Sequence, residues 1–183
     1  LSQTDATRRF VAQILLTGHL SVPAVLDADA LSNLAMITRW WERLDGNAVL
    51  TPHPGEMARL LRCPIEEIQK DRVSVAKSAA QQWGQVVALK GAFTVVAPPN
   101  GLSRLSPYAN PSLASGGTGD VLSGVISGLM AQGLSPFDAT CTGVHLHTAA
   151  AERWSQRNGN AGLLASDLLG EIPLVMKHLR EMI

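Results

Sequence analysis

No stretch of this chain is apolar for long enough to span a bilayer, and its first residues lack the basic-then-apolar pattern of a secretory signal. Net charge is missing too. Fifteen Lys and Arg balance fifteen Asp and Glu, which removes the long-range attraction that draws proteins to nucleic acid or anionic membranes. Any anionic ligand must be held by local groups. Cysteine is scarce: Cys63 and Cys141 stand apart, without metal-ligand spacing, and are expected to be free, buried thiols of a reducing compartment. Aromatics make up 4% of the residues, and repeats, low-complexity segments and interdomain linkers are absent. What remains is a 183-residue chain, 46% hydrophobic, with the profile of one soluble domain over residues 1–183 and the cytoplasm as its expected location.

Against that background one segment stands out, Ser115-Gly-Gly-Thr-Gly-Asp-Val-Leu-Ser-Gly124, which runs into an apolar stretch, Val121 to Met130. The stretch predicts a helix, whose first turn offers unpartnered backbone N–H groups and partial positive charge. Glycines let a phosphate approach those donors without meeting a Cβ. Asp120 is a carboxylate placed at this anion-binding end, where repulsion makes it costly unless it takes a proton from an attacking hydroxyl. One reading is thus phosphoryl transfer, with the turn as anion hole. The other is a flexible loop in which Thr118 or Asp120 is an ordinary helix cap. The segment is neither a Walker A loop nor a Rossmann fingerprint, because the Gly-Lys-Ser/Thr ending and the glycine spacing are both missing.

Upstream, Thr4 or Asp5 can cap a helix with Phe10, Val11, Ile14 and Leu15 on one face. Short apolar runs at Ala24–Leu26, Ala48–Leu50, Gln85–Leu89 and Phe93–Ala97 predict strands, with a return strand around Leu102–Leu105. Helices are expected through Leu34–Trp41, from Pro54 to Leu61, from Pro64 to Trp83, from Thr118 to Met130, from Pro136 to Trp154 with Ser135 as cap, and from Asp167 to the end. Strands alternating with helices imply a mostly parallel sheet covered on both faces, and ligands of such sheets bind beyond the strand C-termini. Asp27, Asp29, His53, Glu56 and Lys90 all fall there and are expected on one rim. Asp27 and Asp29 can instead cap the next helix. His145 and His147, two apart on a helix, point to different faces and are read as packing or surface residues. Trp40, Trp41, Trp83 and Trp154 are expected to pack in a core or interface.

Taken together, these segments resemble the ribokinase-like ADP/ATP-dependent NAD(P)H-hydrate dehydratase family. The resemblance rests on Val25-Leu-Asp-Ala-Asp-Ala-Leu31, Leu50-Thr-Pro-His-Pro-Gly-Glu-Met57, Leu89-Lys-Gly-Ala-Phe-Thr94 and Asn110-Pro-Ser-Leu-Ala-Ser-Gly-Gly-Thr-Gly-Asp-Val-Leu-Ser-Gly124, in that order. Ala131–Pro136, Gly162–Asp167 and Ile172-Pro173 extend it over essentially the whole chain. Two departures stand out. Ala109 replaces the usual glycine before Asn110-Pro111, and nothing corresponds to the family's first βα units with their glycine-rich substrate loop. The chain is therefore expected to be the C-terminal two-thirds of such a domain, in keeping with its opening Leu1-Ser-Gln rather than Met and with so few strands.

The resemblance implies repair of hydrated NADH or NADPH. A nucleotide, ADP or ATP with Mg2+, phosphorylates the hydroxyl added to the nicotinamide ring, and loss of phosphate restores the dihydropyridine. It makes Asp120 the base, puts Gly117, Thr118 and Gly119 at the anion hole, and gives the adenine nucleotide to Lys90, Gly91, Ala92, Phe93, Thr94 and Gly119. Lys90 would lie near the phosphates, His53 would contact the hydrate, and Glu56 would hold a Mg2+-bound water, as a matching acidic residue does in related sugar kinases. The expected partners are NADHX or NADPHX and the nucleotide, further copies of the chain in a homo-oligomer, and an epimerase, fused or separate. Two alternatives stay open: a ribokinase-like kinase of a small alcohol or vitamin precursor, and an inactive nucleotide-binding module with an exposed parallel strand edge.

Overall fold

Parallel strands need a crossover between them, and the chain supplies a helical one each time. The computed structural model describes residues 4–18, 21–44 and 47–182. Leu1 to Gln3, on which the reading of the chain's opening rests, and Ile183, the end of the last expected helix, lie outside them. Two compact units are formed. The first holds the described residues up to Gly91 together with Val95–Arg104, and the second holds Ala92–Thr94 and those from Leu105 onward.

In the first unit, strands β1 (Ala24–Leu26), β2 (Ala48–Leu50) and β3 (Val86–Leu89) are parallel, with Val25 beside Val49 and Leu50 beside Val87. Strand β4 (Val95–Ala97) turns back antiparallel on β3, and the sheet order is β1-β2-β3-β4-β5, with β5 at Arg104–Leu105. β4 starts two residues later than expected because Phe93 takes a left-handed backbone, φ 54°, that no strand continues. Ala48, Leu50, Val87, Leu89, Val95 and Ala97 join the core packed by helices, while Val49, Val86, Ala88 and Val96, pointing the other way, are buried as well. Both faces of the sheet are thus out of water, as expected.

Helix α1 (Asp5–Leu16) is capped by Thr4, whose Oγ1 accepts the Thr7 N–H at 3.2 Å. Its buried stripe is Val11, Leu15 and Leu16; Phe10 and Ile14 are 55% and 50% exposed, so the expected apolar face is displaced by part of a turn. Helix α2 (Asp29–Ala35) begins directly after β1 and ends where Leu34–Trp41 was expected to be helical. β-branched Ile37 and Thr38 follow it, and Arg39 turns left-handed at φ 51° into a 3-10 turn, Trp40–Glu42. That reversal buries Trp40 against Trp83, with ring centroids 5.1 Å apart.

Helix α3 (Pro54–Leu61) has the expected bounds. The expected helix Pro64–Trp83 is instead two, α4 (Ile65–Lys70) and α5 (Arg72–Trp83), split at Asp71. Asp71 leaves helical geometry and accepts the Ser74 N–H at 2.9 Å, the competition with the helix backbone that short polar side chains provide. Ile68 and Ala79 are buried, whereas Ile65 is exposed. Hydrogen bonds from Ser74, the side-chain one first, hold the Asp71 carboxyl below its ordinary range. A lowered folded value means stabilisation present above the unfolded carboxylate range and lost as pH falls through the folded one. Asp71→Ala is therefore expected to melt below the wild type at pH 7, with the gap narrowing under acid; a gap that widens with acid would refute the cap.

The second unit is helical: α6 (Thr118–Ala131), α7 (Pro136–Asn158, capped by Ser135) and α8 (Ala165–Glu181). Leu146, Ala150, Leu163, Leu168 and Ile172 form its core, and Glu171 of α8 is paired with Arg153 and Arg157 of α7. No helix among the described residues is long and apolar enough to cross a membrane. Neither Cys63 nor Cys141 is in a disulfide, and both are half-buried rather than buried as expected; burial with nearby Glu67 pushes the Cys63 thiol up.

Candidate functional site

Because β1, β2 and β3 run parallel, the residues just after them share one rim. Asp27 follows β1, and its Oδ1 accepts the Ala28 N–H at 2.9 Å and the Lys90 Nζ at 2.6 Å. Lys90 follows β3, its N–H donates to the Pro52 carbonyl at 2.8 Å, and its Nζ lies 3.8 Å from Glu56 Oε2. With side-chain exposures of 20% for Lys90, 12% for Asp27 and 7% for Glu56, this is a largely buried ion cluster and not a solvated surface lysine. Asp29 lies in the first turn of α2, and the α2 cap residue Ala28, φ 51°, makes no side-chain capping bond. Asp27 thus sits at the start of α2 and is also the partner of Lys90.

His53 takes the place of a capping Ser or Thr. Its Nδ1 accepts the Gly55 and Glu56 N–H groups at 3.0 and 3.3 Å, and Glu56 Oε2 accepts the His53 N–H at 2.7 Å, a reciprocal capping box. A ring nitrogen that accepts is unprotonated, so the proton sits on Nε2, 3.5 Å from Glu56 Oε1 on a half-exposed ring. Arg72 ties the end of β3, donating to the carbonyls of Leu89 at 2.9 Å and Lys90 at 3.1 Å. Burial lowers its guanidinium from the ordinary value, and a Cβ on Gly91 would stand 2.9 Å from its Nη2. No feature of the sequence marked Arg72.

Ala92, Phe93 and Thr94 belong to the second unit. Phe93, 47% exposed, donates its N–H to the Tyr108 carbonyl at 3.0 Å, and the carbonyl of buried Thr94 accepts the Ser106 N–H at 2.9 Å.

In the same unit the glycine turn leads into α6. Gly117 is left-handed at φ 85°, and a Cβ there would come within 3.1 Å of Ala165 Cβ. Thr118 is buried, and its hydroxyl donates back to the carbonyls of Leu113 at 2.8 Å and Ser115 at 2.9 Å. That hydroxyl braces the turn rather than facing a ligand. The backbone N–H groups of Gly119 and Asp120 have no partner among the described residues, and the Asp120 side chain is exposed beside them. These donors lie at the N-terminus of a 14-residue helix, where the helix dipole is positive, with a carboxylate in its first turn. Ahead of the turn, Asn110 Nδ2 donates to Glu152 Oε1 and Ser155 Oγ, and its Oδ1 accepts the Ser112 N–H at 2.9 Å, so the motif asparagine anchors the approach with Ala109 in front of it. His147 is buried with Nε2 2.8 Å from the Thr118 carbonyl oxygen, a long-range contact that the sequence reading missed.

The NAD(P)H-hydrate dehydratase sequence model matches residues 1–174. A bifunctional NAD(P)H-hydrate repair enzyme of Moorella thermoacetica is 45% identical over 99% of this chain, which spans 34% of that protein. The crystal structure of an ADP/ATP-dependent NAD(P)H-hydrate dehydratase from Bacillus subtilis, co-crystallised with ATP/Mg2+ and soaked with CoA, superposes with a TM-score of 0.86 at 39% identity. It is matched over 97% of this chain and 63% of its own. The chain thus spans under two-thirds of both. A ribokinase-like superfamily protein of Enterococcus faecalis shares the fold alone, with a TM-score of 0.80 at 24% identity over 97% of this chain and 60% of its own. The expected ribokinase-like α/β fold is therefore the one observed.

Proposed function

Because this chain belongs to the NAD(P)H-hydrate dehydratase family, we propose that it carries the nucleotide-dependent step that dehydrates NADHX or NADPHX. The observation that supports this best is the mouth of α6, where two unpartnered N–H groups, of Gly119 and Asp120, stand beside an exposed carboxylate. In this reading Asp120 takes the proton from the ring hydroxyl as its oxygen attacks the terminal phosphorus of ADP or ATP. The bond from that phosphorus to the nucleotide's bridging oxygen breaks, and the two N–H groups meet the charge developing on the transferred phosphoryl. The ring carbon–oxygen bond of the phosphate ester then breaks, inorganic phosphate leaving with the electron pair, as a neighbouring ring carbon loses a proton, which restores the ring double bond.

The N–H groups of Gly119 and Asp120 act as the anion hole that was expected over Gly117, Thr118 and Gly119, and Gly117 gives the turn its shape. Lys90 and the segment through Gly91, Ala92, Phe93 and Thr94 hold the nucleotide, and His53 offers Nε2–H to the hydrate. The donor set suits Mg2+ held through water. Glu56 Oε2 already receives the His53 N–H, and no three His, Cys, Asp or Glu side chains among the described residues form a metal cluster. Mg2+ retains most of its waters and asks for one or two carboxylates besides phosphate oxygens, whose charge it would neutralise. The epimerase expected as partner would belong to a separate protein or to another part of a longer one, as the name of the bifunctional relative suggests.

The test is recovery of reduced-nicotinamide absorbance from NADHX with Mg2+ and ADP or ATP. Recovery supports the dehydratase. Nucleotide consumption on another alcohol without recovery would replace it with a kinase, and neither activity would leave a binding module.

A further inference from the structure

We propose that His147 is a positioning residue that aims the Gly119 N–H of the glycine turn, an inference that rests on the functional reading above. A turn containing Gly116, Gly117 and Gly119 has few side chains of its own to hold it, so its geometry must be imposed from outside. Helix α7 does this from one face. Gly143 and His147 are four residues apart and so lie on the same side of α7. At Gly143 the approach to α6 is close enough that a Cβ would stand 2.7 Å from Ile126 Cγ1. One turn further on, buried His147 reaches the Thr118 carbonyl oxygen at 2.8 Å. A carbonyl only accepts, so His147 Nε2 carries the proton and donates it.

That carbonyl belongs to the same peptide group as the Gly119 N–H. The group is planar and trans, so its C=O and N–H point in opposite directions. Fixing the carbonyl on α7 therefore fixes where the Gly119 N–H points, and that N–H is one of the two left without a partner at the mouth of α6. Donation to the carbonyl also polarises the peptide and strengthens its N–H as a donor. The Thr118 hydroxyl, bonded back to Leu113 and Ser115, holds the side-chain side of the same residue.

The experiment compares wild type, His147→Leu and His147→Gln, the last placing an amide N–H within reach of the same carbonyl. Removing an oxyanion donor outright costs about 10²–10³ in turnover, and misaiming one is expected to cost about tenfold. His147→Leu should therefore lose kcat by about that factor with nucleotide KM within about threefold, and His147→Gln should recover most of it. Amide hydrogen exchange at Val121, whose N–H bonds to the Gly117 carbonyl at 3.2 Å, should rise in His147→Leu and return in His147→Gln. Unchanged kcat and exchange in His147→Leu would overturn the proposal. Equal losses in both variants with matched falls in melting temperature would overturn it too, since packing alone would then explain them. If the wild type does not dehydrate NADHX, the functional reading fails, and the exchange and its rescue still decide whether His147 holds the turn.

Discussion

Asp120→Asn is expected to reduce turnover on NADHX by about 10²–10⁴-fold, the range for losing a general base. Asparagine keeps the size and the hydrogen-bonding oxygen of the side chain but cannot take a proton. The substitution is clean here because Asp120 is exposed and makes no hydrogen bond or ion pair to the described residues, so no packing is lost with it. The backbone N–H groups of Gly119 and Asp120 remain in place. Removing a carboxylate from an anion-binding helix end also removes repulsion of the nucleotide, so nucleotide KM should hold or fall while kcat collapses. That split marks a group acting in the transition state. Steady-state rates with circular-dichroism melts of both proteins give the check. Retention of a tenth or more of the wild-type kcat would remove Asp120 from the chemistry, and a raised KM with an early melt would mean that the turn had been deformed.

Much of this site was legible because its parts are local. β1 and β2 have the bounds that their three-residue apolar runs predict, and α3 starts at Pro54 as expected. Parallel strands bring their C-termini to one rim, so the meeting of Asp27, Glu56 and Lys90 followed from strand order alone. The pairing inside that cluster did not follow. Asp27 and Lys90 are 63 residues apart, and nothing local distinguishes an aspartate that caps a helix from one that holds a distant lysine. His53 was legible as a rim residue beyond a strand but not as a cap, because a ring nitrogen in place of a hydroxyl is an uncommon way to close a capping box. Asp71 breaks a helix that apolar periodicity carries straight through, and Arg39 ends another by a left-handed turn that its residue type does not announce. His147 was hidden for a different reason. Spacing on α7 shows which way it faces but not that a backbone carbonyl 29 residues earlier lies within its reach.

Lys90→Met is expected to cost about 3 kcal/mol, since removing one partner from a buried ion pair strands the other, and the partial exposure of Lys90 keeps the figure at the low end. Methionine preserves most of the apolar stem, so the loss reports the charge. Without the ammonium, Asp27 and Glu56 face each other across the rim with 12% and 7% of their side chains exposed, and neither can turn away. Asp27 is held by the Ala28 N–H and Glu56 by the His53 N–H, at 2.9 and 2.7 Å. For a chain of this length that loss corresponds to a fall of roughly 6–12 °C in melting temperature. Asp27→Asn in the Lys90→Met background should return part of it, because one of the two stranded charges is then gone. The double variant should therefore be more stable than the sum of the singles allows. The same substitution should raise nucleotide KM about tenfold or more if Lys90 reaches the phosphates, since a charge-assisted hydrogen bond contributes about 1.5–3 kcal/mol. Urea melts of wild type, Lys90→Met, Asp27→Asn and the double variant, with nucleotide KM measured on the same four proteins, separate the two effects. A Lys90→Met variant that melts with the wild type would show that solvent already neutralises the cluster. One that melts early with unchanged KM would confine Lys90 to holding the strand ends together.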